Sequence, residues 1–415
     1  MDIAIVGGGI GGLTLALALH ERGIPSRVYE SAPEVKELGV GITLLPHAMR
    51  ELTRLGLGEA LVRQGIENRE SCFYNRFGQL IYAEPRGRVA GYPVPEVGIH
   101  RGRVHLTLWN AAVERLGADR VMADHHCVGV EQTDHRVTLR FRSTAHGGGA
   151  GTRPPVEADV AIACDGVNSG IRRQFYPREE LCFAGINTWR GVTRRPPFLT
   201  GRSYVRVGSI QSGNLVIYPI VDDVDGEGRQ LINWTAQVAQ PGRPRNDWNK
   251  PGRLEDFLHI YAGWTFDWLD VSDLIRRSDV IFEYPMVDRD PVDRWTFGRV
   301  TLLGDAAHPM YPRGSNGAAQ AVLDARALAD CLASEGDPVA ALYAYEAARL
   351  GPTGRVVRAN REHPPDLLIR RVEELTGDRP FADLAAHISQ AELERLSNDY
   401  KRVAGFGLED VTAAS

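Results

Sequence analysis

Near the amino terminus the chain alternates between two kinds of apolar run. Residues 3–6 form a short unbroken apolar stretch, residues 10–19 carry no charge, and residues 26–30 form a second short stretch. Gly7, Gly8, Gly9, Gly11 and Gly12 crowd the first junction. Strand, turn, helix and strand in that order predict a βαβ unit and hence a parallel sheet. A signal-peptide reading fails, because no basic residue precedes the run and it is too short to span a bilayer comfortably. Further on, Val104, Leu108, Ala111, Ala112 and Leu116 share one face of a predicted helix over residues 101–116. Strands are expected near 120–131 and 137–142, and as one run over 156–164. The GGGAG run within 145–155 predicts a mobile loop.

Between about 183 and 285 the pattern changes to alternating stretches, such as 215–220 and 230–238, separated by loops such as DDVDGEGR at 222–229. This predicts an antiparallel sheet joined by the shorter strands near 71–82. Residues 300–303 return to the parallel type, followed by a glycine turn and a helix to about Leu332, and the tail from Pro338 is helical in pattern. The expected fold class is α/β: a Rossmann-like parallel-sheet domain interrupted by an antiparallel-sheet domain, plus C-terminal helices. The boundaries are 1–70, 100–182 and 285–350 for the first domain, 71–99 and 183–284 for the second, and 351–415 for the helical segment.

Composition changes this picture little. At 415 residues the chain exceeds what one core usually organises. A net charge of −5 without a long basic run argues against nucleic acid or an anionic membrane as partner. The five cysteines (Cys72, Cys127, Cys164, Cys182 and Cys331) are scattered, odd in number and never spaced as CxxC. They suggest neither a disulfide framework nor a metal site, and fit a reducing cytoplasm. Nothing in the sequence speaks to oligomeric state.

The glycine turn carries the first chemistry. Gly7-x-Gly9-x-x-Gly12 between a strand and a helix allows a pyrophosphate to approach backbone N–H groups at the helix N-terminus. Glu30 follows Gly12 by 18 residues, at the end of the second strand, where a carboxylate accepts from ribose hydroxyls and repels a 2′-phosphate. The resident dinucleotide is therefore NAD or FAD. Gly304-Asp305-Ala306-Ala307-His308 and Pro312-x-Gly314-Ser315-Asn316-Gly317 point to the longer of the two. Asp305 is placed to accept from a ribityl hydroxyl, and the N–H groups around Gly314 to Gly317 to meet the flavin N1 and O2 edge. A helix terminus stabilises an anion there by about 0.3–2 kcal/mol.

With these residues assembled, the chain resembles the flavoprotein hydroxylases of the para-hydroxybenzoate hydroxylase superfamily. Its three motifs stand here as GGGIGG at 7–12, Asp165-Gly166 in CDGVNS, and GDAAHP at 304–309. The likeness is closest to the phenazine hydroxylases typified by 5-methylphenazine-1-carboxylate 1-monooxygenase. It rests on LGVGI (38–42), EPRG (84–87), HRGRVHLTL (100–108), WRGVT (189–193), YPMVDRDPV (284–292) and NGAAQAVLD (316–324), and fades after about residue 360. The resemblance implies FAD as resident cofactor, NADPH or NADH as transient reductant and O₂ as co-substrate. It implies that an aromatic or polycyclic small molecule is hydroxylated, with or without decarboxylation, through a flavin C4a-hydroperoxide and no protein nucleophile. It further implies that Ile10, Gly11, Ser31, Gly41, Arg101 and Val128 lie along the cofactor, and that Asp165 and Gly166 lie between FAD and the reductant.

Substrate contacts are expected at Trp189, Arg190 and Tyr218. Arg313 stands where the phenazine enzymes have an apolar residue. An anionic group on the substrate is the expected target of its side chain, with flavin O2 and solvent as the alternatives. His308 is expected to pack its turn rather than act as acid or base, and Trp264 and Trp268 to pack in a core. Two other functions stay open at this level: a reductase or dehydrogenase of the same fold that inserts no oxygen, and a non-catalytic binder of planar compounds.

Overall fold

The structure, a computed structural model, describes residues 1–37, 39–145, 151–240, 242 and 250–412. Six strands form the first sheet, in the order Thr296–Phe297, Val300–Leu302, Val160–Ala163, Ile3–Val6, Ser26–Tyr29 and Val121–Met122. All pair in parallel except the edge strand Thr296–Phe297. The helix Ile10–Glu21 has no polar face because it is wedged against the sheet between two others, Arg101–Leu116 and Gly317–Ser334, so that every residue from Gly12 to Leu19 is buried. That confinement explains the uncharged run near the amino terminus. In Arg101–Leu116 the predicted Val104, Leu108, Ala111 and Ala112 are buried together with Gly102, while Leu116 at the helix end is half-buried.

The expected single strand over 156–164 is two. Val156–Ala158 pairs in a small antiparallel sheet with Val137–Arg142, and Val160–Ala163 crosses into the parallel sheet. The break falls at Asp159, whose backbone N–H donates to the Asp2 carbonyl and whose carboxylate accepts from the Asp2 N–H at 2.7 Å. An apolar run alone does not reveal a change of sheet. The glycine run of the expected mobile loop lies largely outside the described residues.

The second large sheet has eight strands, in the order Lys250–Pro251, Ile281–Asp288, Cys182–Arg195, Gln230–Ala239, Asn214–Val221, Ser203–Val207, Glu70–Tyr74 and Leu80–Pro85. Pairing is antiparallel throughout save one junction: Ser203–Val207 and Glu70–Tyr74 run parallel. These two strands come from distant parts of the chain, so no hairpin imposes the antiparallel sense. Alternation divides the sheet cleanly. Trp189, Ile217 and Trp234 pack beneath Phe257, Tyr261, Leu274 and Ile275, while Arg190, Tyr218 and Asn233 take the other face. A three-stranded sheet of Gly41–Leu44, Glu96–His100 and Ile66–Asn68 lies against that other face, where the Gly41 N–H donates to Asn233 Oδ1 at 2.8 Å.

The C-terminal helices Pro338–Glu362, Leu367–Thr376 and Gln390–Val403 return over both sheets. Leu368, Ile369, Val372 and Leu393 pack on Phe73, Ile81 and Tyr82 of the hairpin strands. Among the described residues no helix is long and apolar enough to cross a membrane.

Candidate cofactor and substrate site

The first glycine turn divides its residues by task. Gly7 has φ +108°, and a Cβ there would lie 2.3 Å from the Cys164 carbonyl oxygen; a Cβ on Gly12 would lie 2.1 Å from the Gly7 carbonyl oxygen. A Cβ on Gly11 would press on Leu303 at 2.9 Å, and Ile10 packs against the core. These positions let the strand and helix close. Gly9 differs: it is the helix N-cap, has no side-chain capping bond, and a Cβ there would meet nothing within 4 Å. The space over the helix N-terminus is open, as an anion requires. Beside it Glu30 Oε2 accepts from the Gly8 N–H at 2.7 Å, and Oε1 from the Ala32 N–H at 2.7 Å and from Ser31 Oγ at 3.1 Å. His105 Nε2 lies 2.6 Å from the Gly8 carbonyl oxygen. Val128 is solvent-exposed on its strand. Arg101 opens its helix with an exposed side chain, its N–H bonded to the Val40 carbonyl next to Gly41.

Asp165 and Gly166 follow the strand Val160–Ala163. The helix Gly170–Phe175 is capped by Ser169, whose hydroxyl accepts from the Arg172 N–H at 2.8 Å. Asp165 adds a 3.3 Å bond from the Ile171 N–H to one carboxylate oxygen; among the described residues the other is buried without a close hydrogen-bond partner. Burial raises the Asp165 pKa. Gly166, at φ +78°, borders open space.

At the far turn Asp305 is exposed while its neighbours Gly304 and Ala306 are buried. Its Oδ1 is 3.8 Å from where a Cβ on Gly317 would stand, so the two later motifs face each other. His308 is pinned by the buried Asp324, which also accepts from Arg349 Nε at 2.7 Å and the Gly304 N–H at 3.2 Å. The histidine thus locks the GDAAHP turn to the helix Gly317–Ser334. Pro312 is exposed, and Ser315 sits in the left-handed region at φ +56°. Buried Asn316 donates to Tyr400 Oη at 3.1 Å, and Tyr400 donates to Asn360 Oδ1 at 2.7 Å. A Cβ on Gly314 would fall 1.4 Å from the Tyr400 oxygen. Arg313 turns away from this chain of bonds and pairs with Asp366 of the C-terminal segment at 2.5 Å.

The expected substrate residues separate. Arg190 and Tyr218 occupy the sheet face toward the cofactor turns. Trp189 occupies the opposite one, its ring stacked on Phe257 at 4.6 Å. Adjacent strand residues point to opposite faces, so Trp189 and Arg190 cannot line one pocket. Arg190 is beside the Tyr284 ring at 5.7 Å, and burial lowers its pKa. The Tyr218 ring stacks on Tyr204 at 5.0 Å, and burial raises its phenol pKa. Next to this pair is a cavity of about 20 Å³ bounded by Thr43, Leu45, Tyr204, Arg206, Gly314, Ser315, Tyr400 and Phe406, among others. Tyr204 Oη approaches Ser315 Oγ at 3.2 Å. Thr43, Tyr204, Arg206 and Tyr400 escape a reading of the sequence. SYVRV at 203–207 looks like an ordinary strand, and Tyr400 lies in the tail where the resemblance has faded.

Comparison with known proteins identifies the ligand these turns suit. A family described as FAD binding domain matches residues 1–196 and 282–360. The chain is 46% identical over 407 residues to the phenazine 1,6-dicarboxylic acid hydroxylase PhzS of Lysobacter antibioticus, covering 97% of each chain. It is 35% identical to the 3-amino-4-hydroxybenzoate 2-monooxygenase PtnB3 of Streptomyces platensis, over 88% of this chain and 89% of the relative. Its fold is that of Klebsiella pneumoniae HpxO solved with FAD and uric acid, at a TM-score of 0.76 and 22% identity, covering 100% of this chain and 97% of that one. The open helix N-terminus at Gly9, the facing turns at Asp305 and Gly317, and the orphaned Asp165 oxygen fit an extended FAD. The chain belongs to the class A FAD-dependent aromatic hydroxylases of the para-hydroxybenzoate hydroxylase superfamily, monooxygenases that use NAD(P)H and O₂ to hydroxylate a small aromatic molecule.

Proposed function

We propose that the substrate is a planar aromatic acid of up to three fused rings, held where the cofactor turns meet the second large sheet. The observation that carries this reading is the cavity between the Gly314–Ser315 turn and the Tyr204–Arg206 strand, aromatic and cationic at once. Two relatives support it, since the substrates in their names, phenazine 1,6-dicarboxylic acid and 3-amino-4-hydroxybenzoate, are both carboxylated aromatic rings. Gly7, Gly9, Ile10, Gly11 and Gly12 with Glu30 and Ser31 would hold the adenosine and pyrophosphate half of FAD. Gly304, Asp305, Pro312, Gly314, Ser315, Asn316 and Gly317 would hold the flavin half. Gly41 would pass close to the flavin, Arg101 would lie near the pyrophosphate or ribityl chain and Val128 near the adenine, and Asp165 and Gly166 would face the reductant. When bound, FAD supplies the redox chemistry; the protein orients the ring and excludes water. Residues 1–70, 100–182 and 285–350 serve in this reading as the FAD-binding domain, 71–99 and 183–284 as the substrate domain, and 351–415 as a helical cover. The five free thiols suit a cytoplasmic setting.

NADPH oxidation and oxygen uptake, followed together with and without phenazine-1,6-dicarboxylate and 3-amino-4-hydroxybenzoate, test the reading. One acid should accelerate both rates and give a product that carries one oxygen atom taken from ¹⁸O₂. NADPH oxidation without any incorporated oxygen across a panel of aromatic acids would refute it.

A further inference from the structure

Arg206 is 4% exposed, yet among the described residues no carboxylate pairs with it. Its recorded hydrogen bond is a long one, from Nη1 to Ser71 Oγ at 3.4 Å. The guanidinium carbon lies 4.5 Å from the Tyr204 ring centre and 5.3 Å from that of Phe73, and the side chain lines the cavity beside Gly314 and Ser315. The other buried charges at this cavity are matched. Arg86 meets Glu84 at 3.1 Å and Glu96 at 3.3 Å, and Lys401 meets Glu84 at 2.7 Å. Two carboxylates thus face Arg86 and Lys401, and Arg206 is a third cation. An unpaired buried cation is costly, and an entering carboxylate that takes two of its N–H groups offsets that cost in a way a neutral ring cannot.

We propose that Arg206 is the residue that selects an anionic substrate, by receiving the carboxylate of the aromatic acid at the cavity wall opposite the Gly314–Ser315 turn. This inference rests on the substrate reading above and adds a named specificity determinant to it. The rings of Tyr204 and Phe73 flank the guanidinium, whose planar fork suits a bidentate contact with a carboxylate. Lysine cannot reproduce that fork.

The test is calorimetric titration of the FAD-loaded protein with phenazine-1,6-dicarboxylate and with the neutral, nearly isosteric dicarboxamide. The wild type should bind the acid at least about tenfold more tightly than the amide. Arg206→Gln should weaken the acid by about 10- to 150-fold and leave the amide within about threefold. Arg206→Lys should fall between, and FAD content should stay stoichiometric in both variants. The proposal is overturned if acid and amide weaken together, if the acid is unaffected, or if the variants lose FAD, which would assign the guanidinium to the cofactor. Should Arg206→Gln not fold, the wild-type discrimination decides: equal affinity for acid and amide overturns the proposal. If neither ligand binds while a neutral aromatic supports coupled oxygen uptake, Arg206 loses its role and the hydroxylase reading stands. If no aromatic supports coupling, the substrate reading falls and this inference with it.

Discussion

His47 shows how strongly burial sets the behaviour of a residue. Among the described residues both ring nitrogens are buried without a close hydrogen-bond partner, the ring stacks on Phe406 at 5.4 Å, and burial, helped by the Arg50 and Arg349 charges, pushes its pKa down to about 3. In the unfolded chain the same group titrates near 6.5. Between those values the unfolded state binds a proton that the folded state refuses, so stability falls as pH drops from about 6.5 towards 3. From pH 7 to pH 5 the loss is about 2 kcal/mol. Urea unfolding of the wild type and of His47→Leu at both pH values should show the difference between the two proteins changing by that amount. A constant difference would mean that His47 protonates freely in the folded state. Arg206 and Trp189 illustrate the same scale from the other side. Each sits on a strand of one sheet, but the first faces a cavity and the second a packed core, which no residue-type argument distinguishes.

Among the elements, the strand–turn–helix at the amino terminus separates folding from binding within six residues. Gly7 and Gly12 are required by the chain's own atoms, because a Cβ at either would collide with backbone. At Gly9 the space is free and φ is −79°, which alanine adopts without strain. Gly9→Ala should therefore purify folded, with a melting temperature within about 2 °C of wild type when both are stripped of FAD. Its FAD affinity should drop by about tenfold or more, since the methyl group takes the space of the pyrophosphate. Gly12→Ala should instead lose stability in the FAD-free protein by about 1–3 kcal/mol, the usual range for overpacking. Equal FAD affinity in Gly9→Ala and wild type would place the pyrophosphate elsewhere.

Across the whole molecule, the C-terminal segment joins the two sheets and closes the cavity. Tyr400 braces the Gly314–Asn316 turn, and on the same helix Lys401 and Ser397 hold Glu84 of the second sheet. Burial opposes the charge on Glu84, but Arg86 and Lys401 prevail and keep its carboxyl below the usual range. Removing one member of such a buried cluster costs about 3–5 kcal/mol, and Arg86 remains as a partner, so the lower end applies. Lys401→Met should thus lose about 3 kcal/mol in chemical unfolding. A double-mutant cycle with Glu84→Gln should show the two losses to be strongly non-additive. Additive losses would mean that helix and sheet pack independently. At about 20 Å³ the cavity has room for a water and not for a ring. If the proposed substrate enters at this cavity, this wall has to give way, and Lys401→Met should then also raise the rate of ligand association measured by stopped flow.

Much of the fold was legible in the chain itself. The βαβ opening, the resumed parallel strand at Val300–Leu302, the alternating strands between and the helical tail each follow from a local period, which is a property of neighbours in sequence. The cofactor turns were legible for the same reason. A dinucleotide is held mainly by glycine turns and helix ends, and these are written in consecutive residues. Local pattern did not reveal where one apolar run changes sheets at Asp159, nor that Ser203–Val207 and Glu70–Tyr74 pair in parallel, because such pairings join distant segments. Nor did it show that Arg313 would meet Asp366, which of Trp189 and Arg190 would face the packed core, or that Tyr204, Arg206 and Tyr400 would converge on one cavity. A residue's face depends on register and on what the opposing layer presents, and the counting of charges around a buried space requires all its walls. The cofactor turns were thus written in consecutive residues, whereas the walls of this cavity were decided only when well-separated parts of the chain closed around it.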